Sequence, residues 1–126
     1  MRDAFENNDI YNSFPRTERE AKENSWNKRG IINNNGTSFN ISDYNKMVKK
    51  QNGRCAICNK NETALTKDNK IKKLSVDHCH NTGKVRGLLC IKCNFAIGQL
   101  NDDLTLILKL YQYIRKHKNY TKEYVQ

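Results

Sequence analysis

The pattern of apolar, charged and helix-forming residues along the chain predicts four helices. In residues 43–51 and 104–118, apolar side chains recur three and four positions apart, which is the spacing of one helix face. Arg16–Lys28 is rich in helix-forming residues with alternating charges, which is typical of a mostly exposed helix. Residues 90–100 are also predicted to be helical, and residues 101–103 can cap the helix that follows them.

The middle of the chain predicts a β-hairpin. Residues 74–80 alternate over a short span, residues 81–84 have the composition of a turn, and residues 85–89 form the returning strand. Ser42 is the predicted N-cap of the second helix, and Gly53 is its predicted stop. Helices on both sides of a hairpin indicate an α+β fold.

Composition suggests that a bound metal contributes to the stability of this fold. The chain has 126 residues, and apolar residues make up 37% of it, against about 45–50% in typical globular domains. One compact domain fits this length. Because so little apolar surface can be buried, we expect bound metal to stabilise the core.

The charge of the chain points to an anionic partner. Lys and Arg number 23 against 13 Asp and Glu, which gives a net charge of +10 and a pI near 9.5. Nucleic acid is the commonest partner of such chains, although a solvated lysine face gives the same count.

Secreted and membrane proteins are disfavoured by the sequence. The first nine residues contain no apolar run, so no signal peptide is predicted. The most apolar stretch, residues 104–111, contains Lys109 and is far shorter than the ~20 residues of a spanning helix. With five Cys, an odd number, a disulfide framework is not expected. We therefore expect an intracellular, cytoplasmic protein with reduced thiols and no membrane partner.

Four of the five cysteines form two C-x2-C pairs, which is the spacing of a structural zinc site. Two such pairs can supply the four thiolates of a closed tetrahedral site. A redox dithiol or simply buried cysteines would be the alternatives, but no thioredoxin-like pattern surrounds the pairs. The predicted zinc ligands are Cys55, Cys58, Cys90 and Cys93.

A second cluster of polar residues lies at the end of the first predicted strand. The alternation of a strand places Asp77 and Cys79 on one face and His78 and His80 on the other. Together with Asn94, Asp77 and His78 resemble a site for hydrolysis assisted by a divalent metal. The residues alone leave two alternatives open: the imidazoles could complete a mixed zinc site, or they could cap the hairpin.

Three motifs in these regions resemble the recombination endonuclease VII family of HNH, or ββα-metal, nucleases. They are QNGRCAIC at residues 51–58, VDHCH at 76–80, and GKVRGLLCIKCN at 83–94, followed by Gly98-Gln99. The resemblance implies a small zinc-stabilised ββα-metal core with flanking helices. It also implies metal-dependent hydrolysis of DNA phosphodiester bonds, by nicking or cutting duplex or branched DNA.

The resemblance also implies roles for individual residues. Asp77 and Asn94 would coordinate catalytic Mg2+ or Mn2+, and His78 would activate the attacking water. His80 matches a family histidine near the scissile phosphate. Arg86 and Lys84 are candidates for phosphate contacts, with a solvated turn as the alternative. The cysteine pairs match the structural zinc ligands of the family.

Two positions depart from the family pattern. Cys79 stands where the family often has an acidic residue, and Ile97 stands three places after the motif asparagine, where the phage enzyme is acidic. These departures keep a second hypothesis open, in which the protein is a non-catalytic zinc-stabilised DNA-binding module. A third, less favoured hypothesis is a zinc-stabilised protein-interaction domain.

The expected domain organisation follows the family match. Residues 1–41 are an N-terminal extension with one helix and an Asn-rich loop, residues 42–118 are the nuclease domain with its C-terminal helix, and residues 119–126 are a tail. We expect residues 1–14 to lie loosely and Pro15 to open the first helix. The apolar face of the last helix leaves a homodimer open, and the resemblance suggests a phage or bacterial context.

Overall fold

The computed structural model describes residues 16–118 and has the predicted α+β composition. Within this range there are four helices and a two-stranded sheet. In chain order they are α1 (Arg16–Lys28), α2 (Ile41–Lys50), β1 (Ser75–His78), β2 (Val85–Leu89), α3 (Ile91–Gln99) and α4 (Leu104–His117). The expectations for residues 1–14, Pro15 and the tail 119–126 fall outside the described residues.

The chain divides into two compact units, with the boundary between Asn94 and Phe95 inside α3. The first unit contains α1, α2, the sheet and the cysteine pairs. The second contains the end of α3 and all of α4. Every predicted site residue belongs to the first unit.

Helix α2 begins earlier than its predicted N-cap, Ser42. Asn40 is the cap: its Oδ1 accepts a hydrogen bond from the Asp43 N–H at 3.0 Å, and the Asp43 carboxylate accepts one from the Asn40 N–H at 3.1 Å. This reciprocal pair satisfies two backbone donors at once, which a cap at Ser42 could not do with Asp43. The Ser42 prediction is therefore wrong by two residues.

The sheet is an antiparallel hairpin with a bulge near its turn. Asp77 pairs with Gly87, but His78 pairs with Val85, so Arg86 is an extra residue on β2. A bulge of this kind increases the local twist and redirects a side chain. In the turn, the Gly83 N–H donates to the carbonyl of Cys79 at 2.7 Å.

The segment after α1 joins this hairpin. The Ile32 N–H donates to the Gly83 carbonyl, and the Val85 N–H donates to the Ile32 carbonyl, both at 2.9 Å. Gly83 has a φ of +80°, and a Cβ on it would lie only 2.2 Å from the carbonyl oxygen of Gly30. A residue with a side chain would therefore hold the two segments apart.

The core of the first unit contains a cluster of three aromatic side chains. Trp26 packs edge-on against Phe39 with ring centroids 5.1 Å apart and stacks on Tyr44 at 5.8 Å. Tyr44 is fully buried, and its hydroxyl donates to the carbonyl of Leu74 at 2.7 Å, just before β1. The N-terminal helices therefore pack against the start of the strand that bears the polar cluster.

Helix α4 is capped by Asp103, whose carboxylate accepts a hydrogen bond from the Leu106 N–H at 3.0 Å. None of its residues is buried, and several of its large apolar side chains are exposed: Leu104, Leu108, Tyr111 and Ile114. Within residues 16–118, no helix has the length and apolar character that crossing a membrane requires.

Candidate functional site

The two cysteine pairs come together in one cluster. The four Sγ atoms all lie within 4.8 Å of one another, and those of Cys58 and Cys90 are 3.9 Å apart. Thiolates on one tetrahedral zinc, with Zn–S of about 2.3 Å, are about 3.8 Å apart. The cluster of Cys55, Cys58, Cys90 and Cys93 therefore has the donor chemistry and the spacing of a structural zinc site.

The acidities of the thiols also suit a cation. Burial acts to raise the pKa of the Cys55 thiol, but hydrogen bonds from the backbone around Cys58, Cys90 and Ile57 lower it to about 6. Burial and the neighbouring thiols raise the pKa of Cys93 to about 12. One thiolate thus forms readily, while the next is opposed by the first and needs a positive charge beside it.

The first cysteine turn is fixed to the sheet by its backbone. The Asn59 N–H donates to the Cys55 carbonyl at 2.9 Å, and the Ala56 N–H donates to the carbonyl of Leu88 on β2 at 3.0 Å. Gly87 permits this approach, because a Cβ there would lie 3.3 Å from the Ala56 Cβ. The glycine of the RGLLC motif therefore has a packing role.

Gln51 takes the place of a strand residue beside β2. Its side-chain Oε1 accepts from the Leu88 N–H at 3.0 Å, and its Nε2 donates to the Leu88 carbonyl at 3.0 Å and to the Arg54 carbonyl at 2.7 Å. One side chain thereby connects the end of α2, the first cysteine turn and the sheet.

Glu62 fixes the second cysteine turn, and sequence reasoning missed it. Its buried carboxylate accepts from the Ile91 N–H at 2.7 Å at the start of α3, and from the N–H groups of Thr63 and Ala64 at 2.9 and 3.1 Å. A carboxylate in this position satisfies a free helix donor and favours the positive end of the helix dipole. It therefore orients the helix turn that carries Cys93 and Asn94.

Asp77 forms a bidentate ion pair with Arg86. Arg86 Nε donates to Asp77 Oδ2 at 2.7 Å, and Nη2 donates to Oδ1 at 2.9 Å. Asp77 is only 9% exposed. The bulge directs the Arg86 side chain to the carboxylate, so the residue proposed for phosphate contact lies against the residue proposed to bind metal.

His78 and His80 lie next to each other, as the strand alternation predicted. Their ring centroids are 5.1 Å apart. Burial lowers the pKa of His78 from its ordinary value of 6.5, and the nearby charges of His80 and Arg29 lower it further, while Asp77 opposes them. At neutral pH the His78 imidazole is therefore uncharged and able to accept a proton.

The other residues singled out by the sequence lie in α3 and in the hairpin turn. Asn94 is half-buried in the first turn of α3, where its N–H donates to the Cys90 carbonyl at 3.0 Å. Among the described residues, no hydrogen bond joins its side chain to Asp77. Lys84 is exposed in the hairpin turn, and Cys79 is half-buried between the histidines. The roles of these residues stay predictions.

This arrangement of residues can bind zinc, hold a carboxylate in a fixed position and accept a proton beside it. The profile of the recombination endonuclease VII family matches residues 32–116.

Two curated relatives come from phages and are each named Gene 59 protein. The one from Mycobacterium phage D29 is 40% identical over 75 residues, which cover 59% of this chain and 42% of the relative. The one from Mycobacterium phage L5 is 38% identical over 73 residues, covering 57% and 41%. This chain thus spans about two fifths of the length of these relatives. No solved structure matches it.

Proposed function

The chain belongs to the recombination endonuclease VII family, and we propose that it is a metal-dependent DNA endonuclease. In this proposal β1, β2 and the start of α3 form the HNH, or ββα-metal, core. The substrate is duplex or branched DNA, which the protein nicks or cuts by hydrolysis of a phosphodiester bond.

One observation carries the proposal. Asp77 and His78 are adjacent at the bulged end of a hairpin whose return strand leads directly into the cysteine cluster. Zinc held by Cys55, Cys58, Cys90 and Cys93 would fix β2 to α3. The structural metal would thus position Asn94 relative to the strand that bears Asp77 and His78.

The donor atoms of Asp77 and Asn94 suit Mg2+ or Mn2+, because both ions prefer carboxylate and amide oxygens. Arg86 uses one lone pair on each Asp77 oxygen, and each oxygen has a second lone pair available for a cation. A bound divalent ion would supply charge stabilisation for the phosphate and for the departing 3′ oxygen.

The remaining chemistry belongs to protein side chains. His78, neutral near pH 7, takes the proton of the water that attacks phosphorus. The water oxygen forms a bond to phosphorus, the P–O3′ bond breaks, and the departing 3′ oxygen takes a proton from solvent water, so the product keeps a 5′-phosphate. His80 lies beside His78 and contacts the phosphate. Lys84 in the hairpin turn and Arg86 on β2 would contact neighbouring phosphates.

The proposal is tested by nicking of supercoiled plasmid with zinc-loaded protein in Mg2+ or Mn2+. We expect nicking by the wild type, loss of at least a hundredfold with His78→Ala, and little change with His117→Ala, which removes an exposed imidazole from α4. Equal nicking by the His78→Ala protein would refute the proposed mechanism. Comparison of a four-way junction with linear duplex of the same sequence then defines the substrate.

A second candidate function is a non-catalytic zinc-stabilised DNA-binding module. The observation that favours it is the ion pair of Asp77, since both carboxylate oxygens are already bound by Arg86. This candidate predicts that the zinc-loaded protein binds plasmid DNA tightly but leaves it supercoiled in both Mg2+ and Mn2+.

A further inference from the structure

A short hairpin lies between the first cysteine pair and β1, and no role described so far uses it. We call residues 64–72 the lysine hairpin. Leu65 and Ile71 face each other in an antiparallel bridge, and the Lys72 N–H donates to the Ala64 carbonyl at 2.8 Å. The hairpin is therefore a regular element and not an irregular loop.

The tip of the lysine hairpin is closed by a tight turn. The Thr66 N–H donates to the Lys70 carbonyl at 2.7 Å, and the Asn69 N–H donates to the Thr66 carbonyl at 3.0 Å. The Thr66 hydroxyl accepts from the Lys70 N–H at 3.2 Å. Asn69 has a φ of +63°, a left-handed conformation that asparagine tolerates in turns. These bonds hold the backbone of the tip in a defined turn.

The surface of this element is basic. Lys67, Lys70 and Lys72 are all exposed, against a single acidic residue, Asp68. Leu65 and Ile71 are 55% and 64% exposed, although both are large and apolar. An ordered element with several exposed lysines is typical of a nucleic-acid-binding surface.

The lysine hairpin is attached to the candidate site at both ends. At its start, Glu62 binds the N–H groups of Thr63 and Ala64 with one carboxylate oxygen and the Ile91 N–H of α3 with the other. At its end, the chain runs through buried Leu74 into β1. Movements of the hairpin relative to α3 and β1 are therefore restricted.

The distance along the chain suits a contact on the same DNA segment. Ile71 precedes Asp77 by 77 − 71 = 6 residues, which span at most about 20 Å when extended. One turn of B-DNA is about 34 Å long. A phosphate beside His78 thus lies within one turn of phosphates that the lysine hairpin could reach.

From these observations we infer that the lysine hairpin is a DNA-docking surface that binds phosphates of the duplex flanking the cleaved bond. Its three exposed lysines bind the sugar-phosphate backbone. The inference rests on the proposed function for its substrate. It adds a surface that determines affinity without contacting the reacting atoms.

Two matched triple variants of the full zinc-loaded chain test the inference. K67Q/K70Q/K72Q removes three charges from the lysine hairpin, and K46Q/K49Q/K50Q removes three exposed charges from α2. The probe is a fluorescent 30-base-pair duplex, with binding measured by anisotropy from 50 to 200 mM KCl without Mg2+. Zinc content and thermal unfolding are checked for each protein.

We expect the hairpin variant to bind at least tenfold more weakly at 100 mM KCl. The slope of log K against log salt should fall by about 2.7, because each of the three lost phosphate contacts removes about 0.9. The α2 variant should change less than threefold. Equal weakening by the two variants, or a wild type that does not bind the duplex, would overturn the inference.

Plasmid nicking separates this inference from the proposed function. With Mg2+, the hairpin variant should keep the wild-type rate at saturating DNA and need at least tenfold more DNA to reach it. A wild type that binds duplex but never nicks contradicts the proposed nuclease, while the binding comparison still decides the inference. A hairpin variant that loses rate at saturating DNA would overturn the inference, because the hairpin would then act on the chemical step.

Discussion

Replacing Arg86 with glutamine leaves the Asp77 carboxylate inside the sheet without its counter-ion. Removing one partner of a fully buried pair costs about 3–5 kcal/mol, whereas an exposed pair contributes about 0–1 kcal/mol. Asp77 is nearly buried, but the Arg86 side chain is 38% exposed. The pair lies between these limits, so we expect Arg86→Gln to lower the free energy of unfolding by about 2 kcal/mol.

The reverse change should cost less. Asp77→Asn leaves a guanidinium that water can reach, so we expect a loss of about 1 kcal/mol. In the Asp77→Asn/Arg86→Gln double variant, no charge remains to be compensated. We therefore expect its loss to be smaller than the sum of the single losses by about 1 kcal/mol or more.

The assay is urea unfolding of the four zinc-loaded proteins, combined in a double-mutant cycle. Lys84→Gln is the control, since Lys84 is exposed in the same hairpin and its loss should cost less than about 0.5 kcal/mol. Single losses that add to within about 0.3 kcal/mol would refute the reasoning, because they would mean that the bidentate contact contributes nothing to stability.

Three further predictions concern the hairpin, the zinc and the imidazole. Gly83→Ala should destabilise the fold by about 2 kcal/mol or more, because Gly83 has a left-handed φ and an added Cβ would clash with the Gly30 carbonyl. Gly98→Ala on α3, where an added Cβ meets open space, should stabilise the fold by up to about 1 kcal/mol. Urea unfolding measures both, and equal signs would contradict the geometry. Stripping zinc with a chelator should abolish the cooperative thermal transition, and circular dichroism unchanged by zinc removal would contradict a structural role. The nicking rate should rise with pH through a midpoint below 6.5, because the lowered pKa of His78 leaves its neutral form dominant above that value; a rate independent of pH from 5 to 8 would argue against His78 as the base.

Elements that depend on nearest neighbours along the chain could be predicted from the sequence. Helix α1 has the predicted bounds, and β2 also has its predicted bounds, residues 85–89. The cysteine cluster could also be predicted from the sequence, because two C-x2-C turns can form one metal site wherever the chain brings them together. These features depend on periodicity and on the chemistry of one residue type.

Features set by register or by distant contacts could not be predicted. The bulge that brings Arg86 to Asp77 depends on which residues of the two strands are paired. The alternation of apolar and polar residues does not indicate where one residue is inserted into a strand. Glu62 acts on a backbone N–H 29 residues further along the chain. A single acidic residue in a polar segment gives no sequence signal for such a contact. The contact becomes evident only from the burial of Glu62 in the structure.

The outer edge of β2 is occupied near both of its ends by groups that do not belong to a strand. At one end the Ile32 carbonyl accepts a hydrogen bond from the Val85 N–H. At the other end the Gln51 side-chain amide bonds both the N–H and the carbonyl of Leu88, and the Ala56 N–H donates to the same carbonyl. An open edge is a template for pairing with another polypeptide. By closing it with one backbone carbonyl, one backbone N–H and one side-chain amide, the protein keeps this edge of its two-stranded sheet from pairing with a strand of a neighbouring molecule.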